Sequence, residues 1–143
     1  MNRHYMPEDP IRSLRIMVVE DQPQTRIWIA DVLRQMGIRE VLAANDGSDA
    51  LDMIQSNPRG IDLIICDWAM PRMNGMDLLT AVRAIRPDLP FIMETGHGTK
   101  DHVLAARAQG VDAFIVKPYS AAQLEVRIRT LAKNIRNRST GAP

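Results

Sequence analysis

Apolar residues gather in five short runs, Arg15 to Val19, Val41 to Ala44, Ile61 to Cys66, Phe91 to Glu94 and Ala113 to Val116, each followed by a stretch with helical spacing. Runs this short, bounded mostly by Gly, Pro, Asp or Asn, have the signature of parallel strands buried on both faces. Between them Ile29, Val32, Leu33 and Met36 form one stripe with a 3.6-residue period, and Leu78, Leu79, Val82 and Ile85 form another. Leu124, Ile128, Leu131 and Ile135 mark the last helix most clearly. Gly37 and Gly110 stand where helices should stop, Ser120 where the last should start, and Pro87 and Pro90 bracket a loop. The fourth helix, Lys100 to Ala108, is alanine-rich and has few large apolar anchors, so it is expected to move most easily.

Five successive β-α units predict a parallel sheet covered by helices on both faces. Right-handed crossovers leave few topologies, of which the doubly wound sheet of strand order 2-1-3-4-5 is a common one. One domain is expected over residues 14–136, with residues 1–13 and 137–143 as tails; no internal repeat, low-complexity tract or second domain is visible.

Composition narrows the classes. With 143 residues, 45% of them hydrophobic, the chain can bury one sizeable core. A formal net charge of +1 gives no global field to recruit nucleic acid or an acidic membrane. Charge is uneven, however: no acidic residue follows Glu125, whereas Arg127, Arg129, Lys133, Arg136 and Arg138 do. Such a run reads as the solvated face of a last helix and a basic tail. The lone Cys66 excludes an intramolecular disulfide and, set in an apolar run, reads as a small buried strand residue. No apolar leader or membrane-length run of about 18 residues occurs, so a cytoplasmic setting is expected.

Candidate chemistry collects at the strand ends. In a doubly wound sheet, ligands bind beyond the carboxyl ends of the strands, where strand order reverses. The first strand ends in Glu20-Asp21 and the third in Asp67, so three carboxylates converge there. Their mutual repulsion calls for a cation, and hard oxygen donors suit Mg²⁺. The fourth strand adds the hydroxyl of Thr95 and the fifth the ammonium of Lys117, which can pair with carboxylate or phosphate. Singly, each of these residues reads as well as a loop cap, a helix cap or a solvated charge. Their shared position at one end of four strands favours a site.

Several segments carry a family resemblance: Ile16-Met-Val-Val-Glu-Asp21, Asp46-Gly47 with Ala50-Leu51, Asp67-Trp-Ala-Met-Pro71, Asn74-Gly75-Met-Asp-Leu-Leu79, Thr95 and Lys117-Pro118. From about Leu14 to Ile135 the chain resembles the receiver domain of two-component response regulators, especially the stand-alone chemotaxis type. The resemblance implies a flavodoxin-like (βα)5 fold and a phosphorylation-dependent switch without an output domain of its own. It implies that Asp67 takes a phosphoryl group from a phosphohistidine on a sensor histidine kinase or histidine phosphotransfer protein. It makes Asp21 a direct Mg²⁺ ligand, Glu20 a ligand mainly through water, and the Ala69 backbone carbonyl a further one. Lys117 and Thr95 would contact the phosphoryl oxygens, Phe114 would be the switch aromatic, and the bond before Pro118 would be cis. Output would pass through the face made by the fourth helix, fifth strand and fifth helix, including His102, Val103, Arg107, Phe114 and Tyr119. The recipient would be a downstream protein, or a second copy in a phosphorylation-dependent homodimer, with no nucleic acid or membrane partner.

The sequence departs from the family in places. Glu20 stands where Asp is commoner, a minor variation. Ala69 and His97, two residues after Asp67 and Thr95, occupy positions that the resemblance links to the lifetime of the acyl phosphate; His97 is read equally well as a surface histidine. Ala69 also weighs against a phosphatase of the haloacid dehalogenase type, which would carry a second Asp there. A constitutive interaction module in the same fold is the other alternative, and nucleic-acid binding by the basic last helix lacks any supporting motif. Gly96-His97-Gly98 lacks the third glycine of a dinucleotide fingerprint, and no P-loop sequence is present. Met70, Met73 and Met76 read as loop and helix packing.

Overall fold

The computed structural model of the protein describes residues 9–139. It contains β1 (Arg15–Val19), α1 (Pro23–Gln35), β2 (Glu40–Ala44), α2 (Gly47–Ser56), β3 (Leu63–Asp67), α3 (Gly75–Ile85), β4 (Phe91–Thr95), α4 (Lys100–Ala108), β5 (Ala113–Val116) and α5 (Ala121–Ser139). The strands are all parallel and lie in the order β2-β1-β3-β4-β5. The alternation of apolar runs and helical stripes predicts the parallel sheet, and its order is that of the doubly wound, flavodoxin-like fold that the resemblance implies.

The two-residue period of a strand sorts its side chains onto opposite faces of the sheet. On β1, Ile16 and Val18 join a core beneath α1 and α5, with Ile29, Leu33, Leu124 and Ile128. Met17 and Val19 join the other core, with Ile54 of α2 and Leu78, Leu79 and Val82 of α3. The same alternation holds on β3, where Ile65 faces α1 and α5 and Cys66 the opposite core. Met70 is buried, and Met73 and Met76 pack against that opposite core.

Local chemistry sets the helix ends. Gly37 (φ 97°) and Gly110 (φ 87°) both take the left-handed conformation just after a helix. Asn74 opens α3 with a capping box: its side chain accepts from the Asp77 N–H, and the Asp77 carboxylate accepts from the Asn74 N–H. Ser120 and Gln123 exchange the equivalent pair at the start of α5. Of α4, only Ala106 is buried.

The leading segment differs from its reading as a tail. Residues Pro10–Ser13 form a 3-10 turn whose Ile11 is buried in the α1–α5 core. Asp9 anchors the turn, accepting two hydrogen bonds from the Arg129 guanidinium. Residues 1–8 and 140–143 of the expected tails, and the side chains of Arg136 and Arg138, lie outside the described residues. Among the described residues, no helix is long and apolar enough to cross a membrane.

Candidate functional site: a carboxylate cluster around Lys117

The alternation on the strands continues into the loops beyond them. The Glu20 N–H donates to the Ala44 carbonyl and the Lys117 N–H to the Thr95 carbonyl, so the ladder runs on past β1 and β5. Counting in twos from the residues of the α1–α5 core, Glu20 follows Val18, Asp67 follows Ile65, Glu94 follows Ile92 and Lys117 follows Ile115. These four side chains therefore share one face, and the register sets Asp67 directly beside Glu94. Thr95 falls on the opposite face.

The distances bear this out. Lys117 Nζ donates to Asp67 Oδ1 at 3.2 Å and to Glu20 Oε2 at 3.4 Å, and it lies 3.9 Å from Glu94 Oε1. Glu20 and Glu94 are 0% exposed and Asp67 is 6% exposed. Carboxylate oxygens of Glu20, Asp67 and Glu94 lie within 4.8 Å of one another. Three buried acids around one ammonium leave an excess of negative charge.

That excess shows in the titration of the group. Burial, and next the charge of Asp67, push Glu20 above the ordinary glutamate value, against the pull of Lys117. Burial pushes Glu94 up to about 7, with the Tyr119 hydroxyl and Lys117 opposing. For Lys117, burial favours the neutral amine, but the charges of Glu94, Asp67 and Glu20 outweigh it and raise the net value.

Among the described residues, the carboxylate cluster does not include Asp21. Asp21 is half-buried, and its Oδ1 is buried without a hydrogen-bond partner. An orphaned carboxylate oxygen on the residue after Glu20, together with a cluster of all-oxygen donors carrying surplus negative charge, fits a hard divalent cation such as Mg²⁺. Ala69 is exposed in the turn after β3. Thr95 is buried, and its hydroxyl accepts from the His97 N–H at 3.0 Å instead of turning to Asp67 or Lys117. His97 is exposed, its ring stacked on His102 with centroids 6.3 Å apart. Phe114 is half-buried and meets Trp68 edge-on at 6.1 Å. The Lys117–Pro118 bond is cis.

The loop after β3 is held tightly. A Cβ on Gly75 would lie 2.6 Å from the Asp67 carbonyl oxygen and 2.9 Å from Trp68 Cα, so only glycine lets α3 begin this close to the site. The Gly75 N–H donates to the Trp68 carbonyl at 2.8 Å.

Sequence reasoning missed Glu94 and the role of Tyr119, whose hydroxyl donates to Glu94 Oε2. The signal was an acid one residue before Thr95, following the apolar run Phe91, Ile92 and Met93.

A sheet of this order, with acids at the ends of β1 and β3 and a lysine after β5, defines a class, and the comparisons name it. Residues 16–129 match the family model for the response regulator receiver domain, and the chain belongs to that family. It is 35% identical over 124 residues to the chemotaxis protein CheY of Pseudomonas aeruginosa, covering 85% of this chain and 98% of that one. It is 36% identical over 117 residues to a CheY homologue of Campylobacter jejuni, covering 80% and 89% respectively. A solved receiver domain from Clostridium thermocellum superposes with a TM-score of 0.81 at 30% identity, over 86% of this chain and 97% of that chain. The chain is thus a receiver domain of two-component signalling, with chemotaxis regulators among its relatives.

Proposed function

We propose that this chain is a phosphorylation-dependent signalling switch in which Asp67 accepts a phosphoryl group from the phosphohistidine of a sensor histidine kinase or a histidine phosphotransfer protein. The observation that carries the reading is the Lys117 ammonium within 3.4 Å of two buried carboxylates, Asp67 and Glu20. Phosphoryl transfer asks a protein mainly for alignment and for neutralisation of oxygen charge, and a preset ammonium beside the nucleophile supplies both.

In the transfer, an Asp67 carboxylate oxygen attacks phosphorus and the bond from phosphorus to the donor imidazole nitrogen breaks. The imidazole keeps the electron pair and takes up a proton, leaving an acyl phosphate on Asp67. Glu20, Asp21 and Asp67, with the Ala69 carbonyl, are the groups that would hold Mg²⁺, which when bound adds positive charge beside the phosphoryl oxygens. Lys117 pairs with one of those oxygens. Thr95 leaves the His97 N–H and donates its hydroxyl to another, and Phe114 turns inward behind it. Attack of water at phosphorus restores the carboxylate and releases phosphate, and Ala69 and His97 set how readily that water arrives.

Output passes through α4, β5 and α5, where a cavity of about 320 Å³ is lined by Arg107, Phe114, Arg127 and Leu131 among others. The audience is a downstream protein or a second, phosphorylated copy. An amide NMR comparison tests the switch. Loading with beryllofluoride and Mg²⁺ should shift resonances along α4, β5 and α5, and none in Asp67→Ala; shifts confined to the β3–α3 loop would contradict a relay.

A further inference from the structure

We infer that Glu94, acting with Tyr119, is a positioning residue for Lys117, holding its ammonium in place alongside Glu20 and Asp67. The inference rests on the phosphoacceptor reading above and adds a residue to it. Glu94 is 0% exposed on a strand whose other members are all buried. Desolvating a carboxylate there costs stability that a branched aliphatic residue of similar size would not, so its presence calls for an interaction that needs the charge.

The geometry supplies one. Glu94 Oε2 accepts the Tyr119 hydroxyl, which fixes the plane of the carboxylate. Oε1 accepts no hydrogen bond, and it faces Lys117 Nζ at 3.9 Å. Tyr119 is itself braced, its ring 5.6 Å from that of Trp28 on α1 and packed against the α1–α5 core. The other two partners of Lys117 change state in the reaction: Asp67 becomes an acyl phosphate, and Glu20 is a proposed cation ligand. Glu94 is the partner that neither takes the phosphoryl group nor is assigned to the cation, and the Tyr119 hydroxyl holds its carboxyl group in one place throughout the cycle. It keeps the ammonium over the site while the other carboxylates are engaged elsewhere.

The test uses the full chain with phosphoramidate as donor. Glu94→Gln keeps the shape and an acceptor for Tyr119 but removes the charge. The rate of Asp67 phosphorylation at saturating donor and Mg²⁺ should fall about tenfold or more, as expected for a displaced catalytic group. The Mg²⁺ concentration giving half the maximal rate should not change. Tyr119→Phe should slow the reaction in the same sense, and the double variant should be no slower than the slower single one, because the two residues act as a unit. In metal-free protein, acylation of Lys117 by an amine-selective reagent, read by peptide mass, should accelerate in both variants. Folded variants that match wild type in rate and in Lys117 reactivity would overturn the inference. So would a raised Mg²⁺ requirement with an unchanged saturating rate, which would make Glu94 a metal ligand. If Glu94→Gln does not fold, Tyr119→Phe carries the test alone. Failure of wild type to label at all would instead sink the phosphoacceptor reading, and this inference with it.

Discussion

Lys117 Nζ stands 3.2 Å from Asp67 Oδ1, bringing together two residues that enter the site from β5 and β3 with β4 between them. The contact draws on the twist and register of the whole sheet, and it also ties the stability of the fold to the chemistry of the site. Lys117→Ala removes the ammonium that contacts Glu20, Asp67 and Glu94. With Lys117 itself partly exposed, the expected loss in metal-free protein is about 2 kcal/mol, below that for a fully buried pair. Mg²⁺ should bind the variant more tightly than wild type, because it no longer competes with the ammonium. Calorimetric titration together with urea unfolding checks both, and weaker Mg²⁺ binding would count against the arrangement.

Glu94 gives a pH dependence of a definite sign. Burial, chiefly, raises its value from the ordinary 4.5 to about 7 in the folded protein, so between those values the native state holds a proton there that the unfolded chain has released. The stability it contributes is complete below about pH 4.5 and is lost as pH rises through about 7, an effect on the order of 3 kcal/mol. Metal-free unfolding free energies measured from pH 5 to 8 should therefore decline more steeply in wild type than in Glu94→Gln. Identical slopes would show that Glu94 titrates normally.

Gly75→Ala places a methyl group against the backbone of Asp67 and Trp68 and against Met93 Sδ, where the backbone atoms cannot swing aside. The expected cost is about 2 kcal/mol of overpacking. Because the clash falls on the carbonyl of Asp67, phosphorylation should slow as well. Unchanged thermal stability would mean that the start of α3 can retreat from the site.

His97→Ala should alter the decay rate of the phosphorylated protein, followed by the loss of acyl phosphate after donor removal. The exposed ring stacked on His102 sits two residues beyond Thr95, whose hydroxyl its own N–H contacts. An unchanged decay rate would reduce His97 to a surface residue.

Much of this was legible in the sequence because the signals are local. Short apolar runs, helical stripes, Gly37 and Gly110 marked the strands, helices and helix stops, since hydrophobic period and left-handed glycine are properties of a few neighbouring residues, whereas the strand order came from the topology such units commonly take and from the family resemblance. Glu20, Asp67 and Lys117 were legible because strand ends in this topology converge. What strand-end position does not specify is the face of the sheet. Thr95 shares the end but falls on the opposite face, one residue out of phase with Glu94, and its hydroxyl serves its own loop. Glu94 was passed over as the last residue of an apolar run, although parity places it beside Asp67. Ile11 was read into the tail because one apolar residue between Pro10 and Arg12 has no period; its burial in the α1–α5 core accompanies a long-range ion pair between Asp9 and Arg129.

The most direct measurement is intact-mass analysis of the chain incubated with phosphoramidate, with and without Mg²⁺, followed by mapping of the modified residue. One phosphoryl group per chain should accumulate only with Mg²⁺, reside on Asp67 and be absent in Asp67→Ala. Phosphoryl transfer to another residue, repeated release of phosphate from simple esters without a phosphoprotein, or no labelling of the folded protein would contradict the account.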